Sequence, residues 1–328
     1  MHRGSGRRLA RAFHRLKMKS LKFADHLVRR ITWDELDENY LTRLIENARA
    51  EDIAGAGLKT PPKIAADITT MTLTPHTHTL ARLAARRDMT VCGMRLVTLI
   101  LKVYESASDD GPCSFTPCVC DGDRAPRGAI LAEIEGSART MLQAERIMLN
   151  FLQRLSGVAT STAEYVAALG NSKTKLLDTR KTTPSLRVLE KYAFACGGGY
   201  NHRIGLFDRV MLKDNHLAAA HAASGKNLAD AVRKARAQNP DFAVEVEVDS
   251  FDQIAPVLDA EADVIMLDNF SLENLKKAVD FVGGRAWTEA SGGVTLKTLP
   301  QIGEIGPDFV SSAAPVHSSP WIDIGLDS

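Results

Sequence analysis

Apolar residues recur along this chain with two different periods, and the change of period divides it. Between Trp33 and Ala50, Leu36, Tyr40, Leu44 and Ala48 repeat at helical spacing, with Thr32 or Asp34 placed as the cap. Glu51 to Thr70 reads as loop, carrying Gly55, Gly57 and the Pro61-Pro62 pair. Thr74 to Leu80 alternates as a strand does, and Met89 to Val103 reads as a strand followed by a helix. Asp109 to Pro117 is a turn region. Gly122 to Gly136 alternates in its second half, with Ile130, Ala132 and Ile134 on one side. A long helix is expected from Ser137, a good cap, to about Val158, with Met141, Met148, Leu152 and Leu155 on its buried stripe. Arg146 lies roughly 140° from Met141 on that helix, off the stripe.

From Lys175 onward the texture changes. Short apolar runs at Leu176–Leu177, Val210–Leu212, Val244–Val248, Val264–Leu267, Trp287–Ala290 and Phe309–Val310 read as strands. Between them Ser185–Ala195, Leu228–Ala237, Phe251–Leu258, Leu272–Val282 and Leu296–Ile305 read as helices. Strands that are apolar almost throughout, alternating with helices, predict a parallel sheet covered by helices, hence an α/β fold. Six such strands are too few for a complete eight-fold barrel of about 250 residues, which points to a shortened one.

Composition narrows the class without naming a function. At 328 residues the chain is long enough for two domains, or for a barrel with an attached lobe. A net charge of +1 gives no overall field for nucleic acid, and no apolar run approaches the ~20 residues that span a bilayer. Five cysteines without a framework point to a reducing compartment, with the cytoplasm as the expected location. Cys113, Cys118 and Cys120 are close together, but no histidine lies near them and the spacing fits no common zinc site, so reduced thiols are the preferred reading. His76 and His78 are more simply exposed strand residues than a ligand pair. From Met1 to Ala24 there is no acidic residue and much arginine and lysine. That resembles a transit peptide or a basic arm, and a disordered extension over residues 1–26 is expected.

Charge at strand ends changes the picture. In α/β barrels the active site lies at the carboxyl ends of the strands. The residues following each predicted strand are Thr179-Arg180-Lys181, Lys213-Asp214, Glu247 and Asp249, Asp268-Asn269, and Ser291-Gly292-Gly293, with His202-Arg203 between the first two strands. Cations there would hold an anionic substrate, and two carboxylates would hold Mg²⁺ or a ribose hydroxyl pair. A Ser-Gly-Gly turn entering a helix would offer backbone N–H groups to a phosphate. Together these describe a site for a phosphorylated sugar and an anionic partner.

The stretch Leu176–His216, with its pattern DTRKTTP…LEKYA…GGGYNHRIGLFDRVMLKDNH, resembles quinolinate phosphoribosyltransferases. So do EVEVD at 245–249, LDN at 267–269, ASGG at 290–293, DIGLD at 323–327 and AERIMLNFLQRLSGVAT at 144–160; EDI at 51–53 and DITT at 67–70 are weaker matches. The resemblance extends over nearly everything after residue 30. It implies an N-terminal α/β sandwich lobe (27–149) rejoined by a C-terminal tail (314–328), and an incomplete barrel of about seven strands (150–313). It implies a pentosyltransferase of NAD biosynthesis that takes quinolinate and phosphoribosyl pyrophosphate with Mg²⁺. It also implies a homodimer in which Arg146 reaches the partner's site. Arg180, Lys181, His202, Arg203 and Lys213 match the quinolinate-binding set, Thr179 and His317 accompany it, Glu247 and Asp268 match the pair near ribose and metal, and Ser291, Gly292 and Gly293 match the turn at the 5′-phosphate. Lys181, Glu247 and Asp268 are the residues expected to act on the reaction itself.

The chain departs from that pattern in places. SSAAPVHS (311–318) puts Ala313 where glycine is usual and Val316 where threonine is usual, Ser185 stands where glycine is common, and Leu58–Ala66 reads as an insertion. Two alternatives accompany the leading expectation: a transferase for nicotinate or another pyridine acid, and a homologue that binds an anion without catalysis. The full cationic set favours a dicarboxylate, because a monoacid would leave buried cations unpaired.

Overall fold

The computed structural model describes residues 18–327. The first half contains α1 (Ala24–Leu27), α2 (Glu38–Ala54), β1 (His78–Ala85), β2 (Met89–Thr90), α3 (Met94–Glu105), β3 (Cys113–Pro117), β4 (Arg124–Ala125), β5 (Ile130–Ser137) and α4 (Ala138–Ala168). The second half follows with β6 (Lys175–Leu177), α5 (Arg187–Cys196), β7 (Val210–Leu212), α6 (Asp214–Ala219), α7 (Gly225–Gln238), β8 (Val244–Val248), α8 (Ile254–Asp259) and β9 (Val264–Asp268). It ends with α9 (Leu272–Val282), β10 (Trp287–Ser291), α10 (Leu299–Ile305), β11 (Phe309–Ser311), α11 (Ala314–His317) and β12 (Ile324–Asp327).

Local chemistry explains where several elements depart from the sequence pattern. Helix α2 is capped by Asp37, whose side chain accepts from Asn39 N, and not by Thr32 or Asp34. Thr32 instead closes a short turn with Glu35, which accepts its amide at 2.7 Å. Strand β1 begins at His78 because His76 takes a left-handed turn (φ 59°). The supposed turn 109–117 contains strand β3, whose backbone ladders with β5 from Cys113 to Pro117. Helix α4 does start at the Ser137 cap but continues ten residues past Val158, burying Ala159, Thr162 and Tyr165 as it goes. Gly157 lets the C-terminal chain cross there: a Cβ would sit 2.2 Å from the Pro320 carbonyl oxygen. The insertion-like stretch lies in the α2–β1 loop, where Leu58 and Ile64 are exposed.

Two sheets carry the fold. Strands β12, β1, β5 and β3 form an antiparallel sheet in that order, so the C-terminal strand returns to the first half of the chain. The other sheet is wholly parallel in the order β6-β11-β10-β9-β8-β7, as near-continuous apolar strands require. A seventh position exists only as a single parallel bridge from Tyr200 to Leu177. The edge strands β6 and β7 do not pair with each other, so no ladder closes the sheet among the described residues.

The N-terminal segment occupies that open side. The predicted extension to residue 26 is corrected for its described part; residues 1–17 lie outside the described residues. Phe23 and Leu27 are buried with Leu177, Ala243, Val264 and Phe309 in a second apolar cluster at the amino ends of the strands. Each such side chain contributes about 1.5–3 kcal/mol on burial. Lys22 Nζ donates to the Pro240 carbonyl at 2.6 Å, Lys19 pairs with Asp308, and the Trp287 indole donates to the Ser20 carbonyl. The basic composition of this segment reads as solvated, yet its two aromatic and aliphatic side chains find a floor to cover. Residue Arg29 then forms an antiparallel bridge to Asn201, beside the Tyr200 position.

Candidate active site

The carboxyl ends of the parallel strands surround a cavity of about 440 Å³. Its walls include Thr179, Arg180 and Lys181 after β6, His202 and Arg203 after the glycine turn, and Lys213 after β7. Glu247 from β8, Asp268 from β9 and Ser291 from β10 complete the predicted set on these walls. Lys181 also lines an adjoining hollow of about 590 Å³ with Thr182, Thr183, Arg154 and His317. Lys181 therefore stands between two neighbouring hollows and lines both.

One wall of the cavity crowds two guanidiniums together. Arg203 has its pKa lowered by burial first and by the neighbouring Arg180 second. Neither guanidinium forms an ion pair within the described residues, and Arg180 Nε has no hydrogen-bond partner although it is buried. Holding two cations together in a partly desolvated wall is unfavourable unless an anion joins them. The cationic and acidic halves are not fully apart, however: Lys213 Nζ donates to Glu247 Oε2 at 2.8 Å. Asp268 Oδ2 accepts from Asn269 Nδ2 at 2.7 Å.

The Ser-Gly-Gly turn has left-handed backbone at both glycines but is not the predicted helix entrance. Gly292 and Gly293 have φ of 85° and 60°, and a Cβ on Gly292 would meet Asn269 Oδ1 at 2.1 Å. Helix α10 begins only at Leu299, so no helix terminus backs this turn. Gly292 and Gly293 stand next to the wall residue Ser291 without lining the cavity themselves. The departures at the C-terminal end are also explained. Ala313 has helical dihedrals (φ −86°, ψ −19°), so its backbone does not require glycine. Val316 is buried in the core, and its carbonyl accepts from Arg154 Nη2 at 2.8 Å.

Ser185 does hold a glycine conformation, with φ 67°, in the turn between Lys181 and α5. Left-handed backbone costs a non-glycine residue about 1–2 kcal/mol, less the chain entropy that glycine adds to the unfolded state. Ser185→Gly is expected to raise stability by about 0.5–1 kcal/mol in chemical denaturation. A destabilised variant would show that the turn is held by the serine side chain.

Beneath the walls lies a layer that rim reasoning missed. Glu245 precedes Glu247 by two residues and Glu289 precedes Ser291 by two, so each points inward one level deeper. Glu245 accepts from Arg209 Nη1 at 2.9 Å and lies 3.2 Å from His202 Nε2. His202 Nδ1 accepts from the Arg203 amide at 2.7 Å, so the ring proton sits on Nε2 and faces Glu245. Burial pushes the His202 pKa down to about 4, with Glu245 opposing, so the imidazole is neutral at neutral pH. Burial disfavours charge on Glu245, but His202 and Arg209 outweigh it and hold its carboxyl well below the usual range. Glu289 is pushed the other way, by burial first and then by Glu245, and keeps its proton.

His202, Glu245 and Glu289 are the one cluster of potential metal-ligating groups among the described residues. Within this cluster Arg209 already pairs with Glu245, while the buried Glu289 oxygens have no hydrogen-bond partner. Cys113, Cys118, Cys120, His76 and His78 do not gather, and all five thiols are free.

A second hidden network supports the loops. Asp178, fully buried before Thr179, accepts from Lys191 Nζ at 2.5 Å, Asn201 Nδ2 at 2.7 Å and His202 N at 2.8 Å. Burial raises the Asp178 carboxyl and lowers the Lys191 ammonium, while their mutual contact opposes both shifts. Buried Glu190 accepts from Arg154, at 2.6 Å from Nη2, and from the Thr183 amide at 2.8 Å, which ties the Lys181 loop to α4. Arg146, by contrast, is exposed on α4 and lines neither lobe of its own chain's site.

Comparison with known proteins agrees with this geometry. Residues 67–156 match the N-terminal domain and residues 158–327 the C-terminal domain of the quinolinate phosphoribosyl transferase family models. A probable nicotinate-nucleotide pyrophosphorylase [carboxylating] of Bacillus subtilis is 43% identical over 208 residues, 63% of this chain and 70% of that protein. The Synechocystis protein of the same description is 36% identical over 250 residues, covering 75% and 81%. The solved nicotinate-nucleotide pyrophosphorylase of Francisella tularensis superposes with a TM-score of 0.80 at 35% identity, over 91% of this chain and 99% of that one. The chain belongs to the quinolinate phosphoribosyltransferase family.

Proposed function

We propose that this chain is a pentosyltransferase that joins quinolinate to phosphoribosyl pyrophosphate in de novo NAD biosynthesis, giving nicotinate mononucleotide, CO₂ and pyrophosphate. The observation that supports it best is the pair of guanidiniums, Arg180 and Arg203, crowded in one wall without a carboxylate of their own. Quinolinate is a dianion, and planar guanidiniums bind carboxylates bidentately. His202 and Thr179 complete that wall, while Lys181 and His317 line the adjoining lobe, where a pyrophosphate fits.

The reaction proceeds by departure of pyrophosphate from the ribose through an oxocarbenium-like state. Lys181 stabilises the charge growing on the leaving group, and Glu247 and Asp268 stabilise the cationic sugar. Ser291, Gly292 and Gly293 take the 5′-phosphate, through the backbone that the positive φ angles shape. Once the pyridine nitrogen is quaternised, the 2-carboxylate leaves as CO₂ and the electron pair left on the ring is protonated. Glu247 and Asp268 suit Mg²⁺, which is commonly held by one or two carboxylates together with substrate phosphates. The ion would supply charge neutralisation to the pyrophosphate. Lys213 already balances Glu247, so this side of the site is not an open negative patch.

Arg146 enters this reading only through a second copy. It lies outside its own chain's lobes, so a homodimer that shares its sites gives it the dicarboxylate role. No described helix is long and apolar enough to cross a membrane. Five free thiols support a reducing compartment such as the cytoplasm. Some relatives from Nicotiana tabacum are described as mitochondrial.

The test mixes the purified protein with quinolinate, phosphoribosyl pyrophosphate and Mg²⁺ and follows CO₂ and nicotinate mononucleotide. Turnover of quinolinate is expected and nicotinate should be a poor substrate, because it leaves one guanidinium unpaired. Turnover of nicotinate alone would overturn the assignment.

A further inference from the structure

The glycine turn that delivers His202 and Arg203 to the cavity has little rigidity of its own. Gly197, Gly198 and Gly199 bring the chain back from α5, and Gly198 is left-handed at φ 90°. Close packing makes glycine obligatory on either side of it: a Cβ on Gly197 would lie 2.4 Å from the Ala159 carbonyl oxygen, and one on Gly199 would lie 2.1 Å from the Phe194 ring. Glycine backbone is the least restrained in the unfolded and loosely held chain. Something must fix the path between Gly198 and Arg203.

The N-terminal strap does so. Arg30 Nε donates to the Gly199 carbonyl at 2.9 Å and Nη2 to the Gly198 carbonyl at 2.6 Å, with the guanidinium 4.1 Å from the centre of the Tyr200 ring. The Asn201 amide donates to the Arg29 carbonyl at 2.9 Å, and the Ile31 amide donates to Asn201 Oδ1 at 2.6 Å. On its other side Asn201 Nδ2 donates to Asp178 Oδ2 and to the Lys191 carbonyl. Each of these partners accepts one role only, so the orientation of the carboxamide is fixed. Asp178 is two residues from Arg180, and Asn201 is two residues from Arg203. One fully buried side chain therefore joins the strap to both loops that carry the guanidiniums.

We propose that Asn201 is a positioning residue through which the strap of residues 19–31 sets the separation of Arg180 and Arg203, and hence the affinity for the dicarboxylate. The inference rests on the reading of those two arginines given above. The strap's lower end is anchored by Phe23 and Leu27 in the floor cluster, and its upper end reaches the site loops. Its effect falls chiefly on the two guanidiniums, while His317 in the adjoining lobe makes no contact with this path.

Arg30→Met keeps the apolar stem of an exposed residue and removes two hydrogen bonds to the glycine turn together with the cation over Tyr200. It is expected to weaken quinolinate binding about 10-fold, with kcat at saturation and the affinity for phosphoribosyl pyrophosphate within about twofold of wild type. Asn201→Ala should weaken quinolinate binding further, and the Arg30→Met/Asn201→Ala double variant should bind no worse than Asn201→Ala, because both act through one path. Calorimetric titrations with each ligand, on variants verified as folded by circular dichroism, decide it. An Arg30→Met protein with unchanged quinolinate affinity, equal losses for both ligands, or fully additive losses in the double variant would overturn the proposal. A wild-type protein that fails to bind quinolinate would instead overturn the functional reading, and the inference with it.

Discussion

Arg146→Ala protein and Arg180→Ala protein, each inactive alone, are expected to recover activity when mixed under conditions that exchange subunits. In a shared-site homodimer, equal mixing places half the molecules in heterodimers. Each heterodimer has one site with both arginines intact and one with neither, so about a quarter of the wild-type sites are restored. The argument starts from position. Arg180 is a wall residue of its own chain's cavity, while Arg146 lies exposed on α4 and outside both lobes. If both residues served one ligand from the same chain, every site in any mixture would lack one of the two arginines and no activity would return. Removing a guanidinium that pairs with a substrate carboxylate costs about 2–5 kcal/mol, enough to make each parent silent in a standard assay. The measurement is initial rate against mixing ratio, which should follow a symmetric curve with its maximum at equal amounts. A flat baseline, with subunit exchange shown by mass-tagged chains, would remove Arg146 from the partner's site.

The same contrast between local and distant signals explains how much the sequence revealed. Strands β6, β7, β9 and β11 are largely apolar because both of their faces are covered, and that pattern survives in a single sequence. Strand β3 was hidden because Cys113–Pro117 is an edge strand, largely exposed and ending in proline. The last third of α4 was hidden because Gly157, Thr160, Ser161 and Thr162 favour helix weakly, and the helix is held there by the chain crossing at Pro320. The site's rim was legible since a charged residue follows nearly every strand. The residues that hold the rim were not. Asp178, Lys191 and Asn201 contact one another across 10 to 23 positions, and no local period marks a buried ion pair. Glu245 and Glu289 left a fainter trace: charges at spacing two inside strands that are otherwise apolar, on the same face as Glu247 and Ser291.

That buried layer should dominate the stability of the second half of the chain, and its members should respond in opposite directions. Arg209→Leu leaves the Glu245 carboxylate buried without its cation and is expected to cost about 3–5 kcal/mol. Glu289→Gln removes no charge pair, since Glu289 holds its proton in the native state, and the carboxamide is nearly isosteric. The dependence on pH separates the two cases. The pKa of Glu289 is raised well above its ordinary 4.5, so the native state keeps a proton that the unfolded chain has released. The contribution of Glu289 to stability therefore falls as pH rises above about 4.5, and continues to fall until the native pKa is reached. Glutamine does not titrate, so the advantage of Glu289→Gln over wild type should be absent near pH 4 and grow as pH rises above about 4.5. His202 acts at the other end. Its native pKa of about 4 lies below the ordinary 6.5, so the unfolded chain takes up a proton first as pH falls, and stability is lost between those two values in both proteins. Urea denaturation across this range reads both slopes. A Glu289→Gln protein that is less stable than wild type by the same amount at every pH would mean that Glu289 is ionised in the native state, and that the layer beneath the cavity carries a net negative charge.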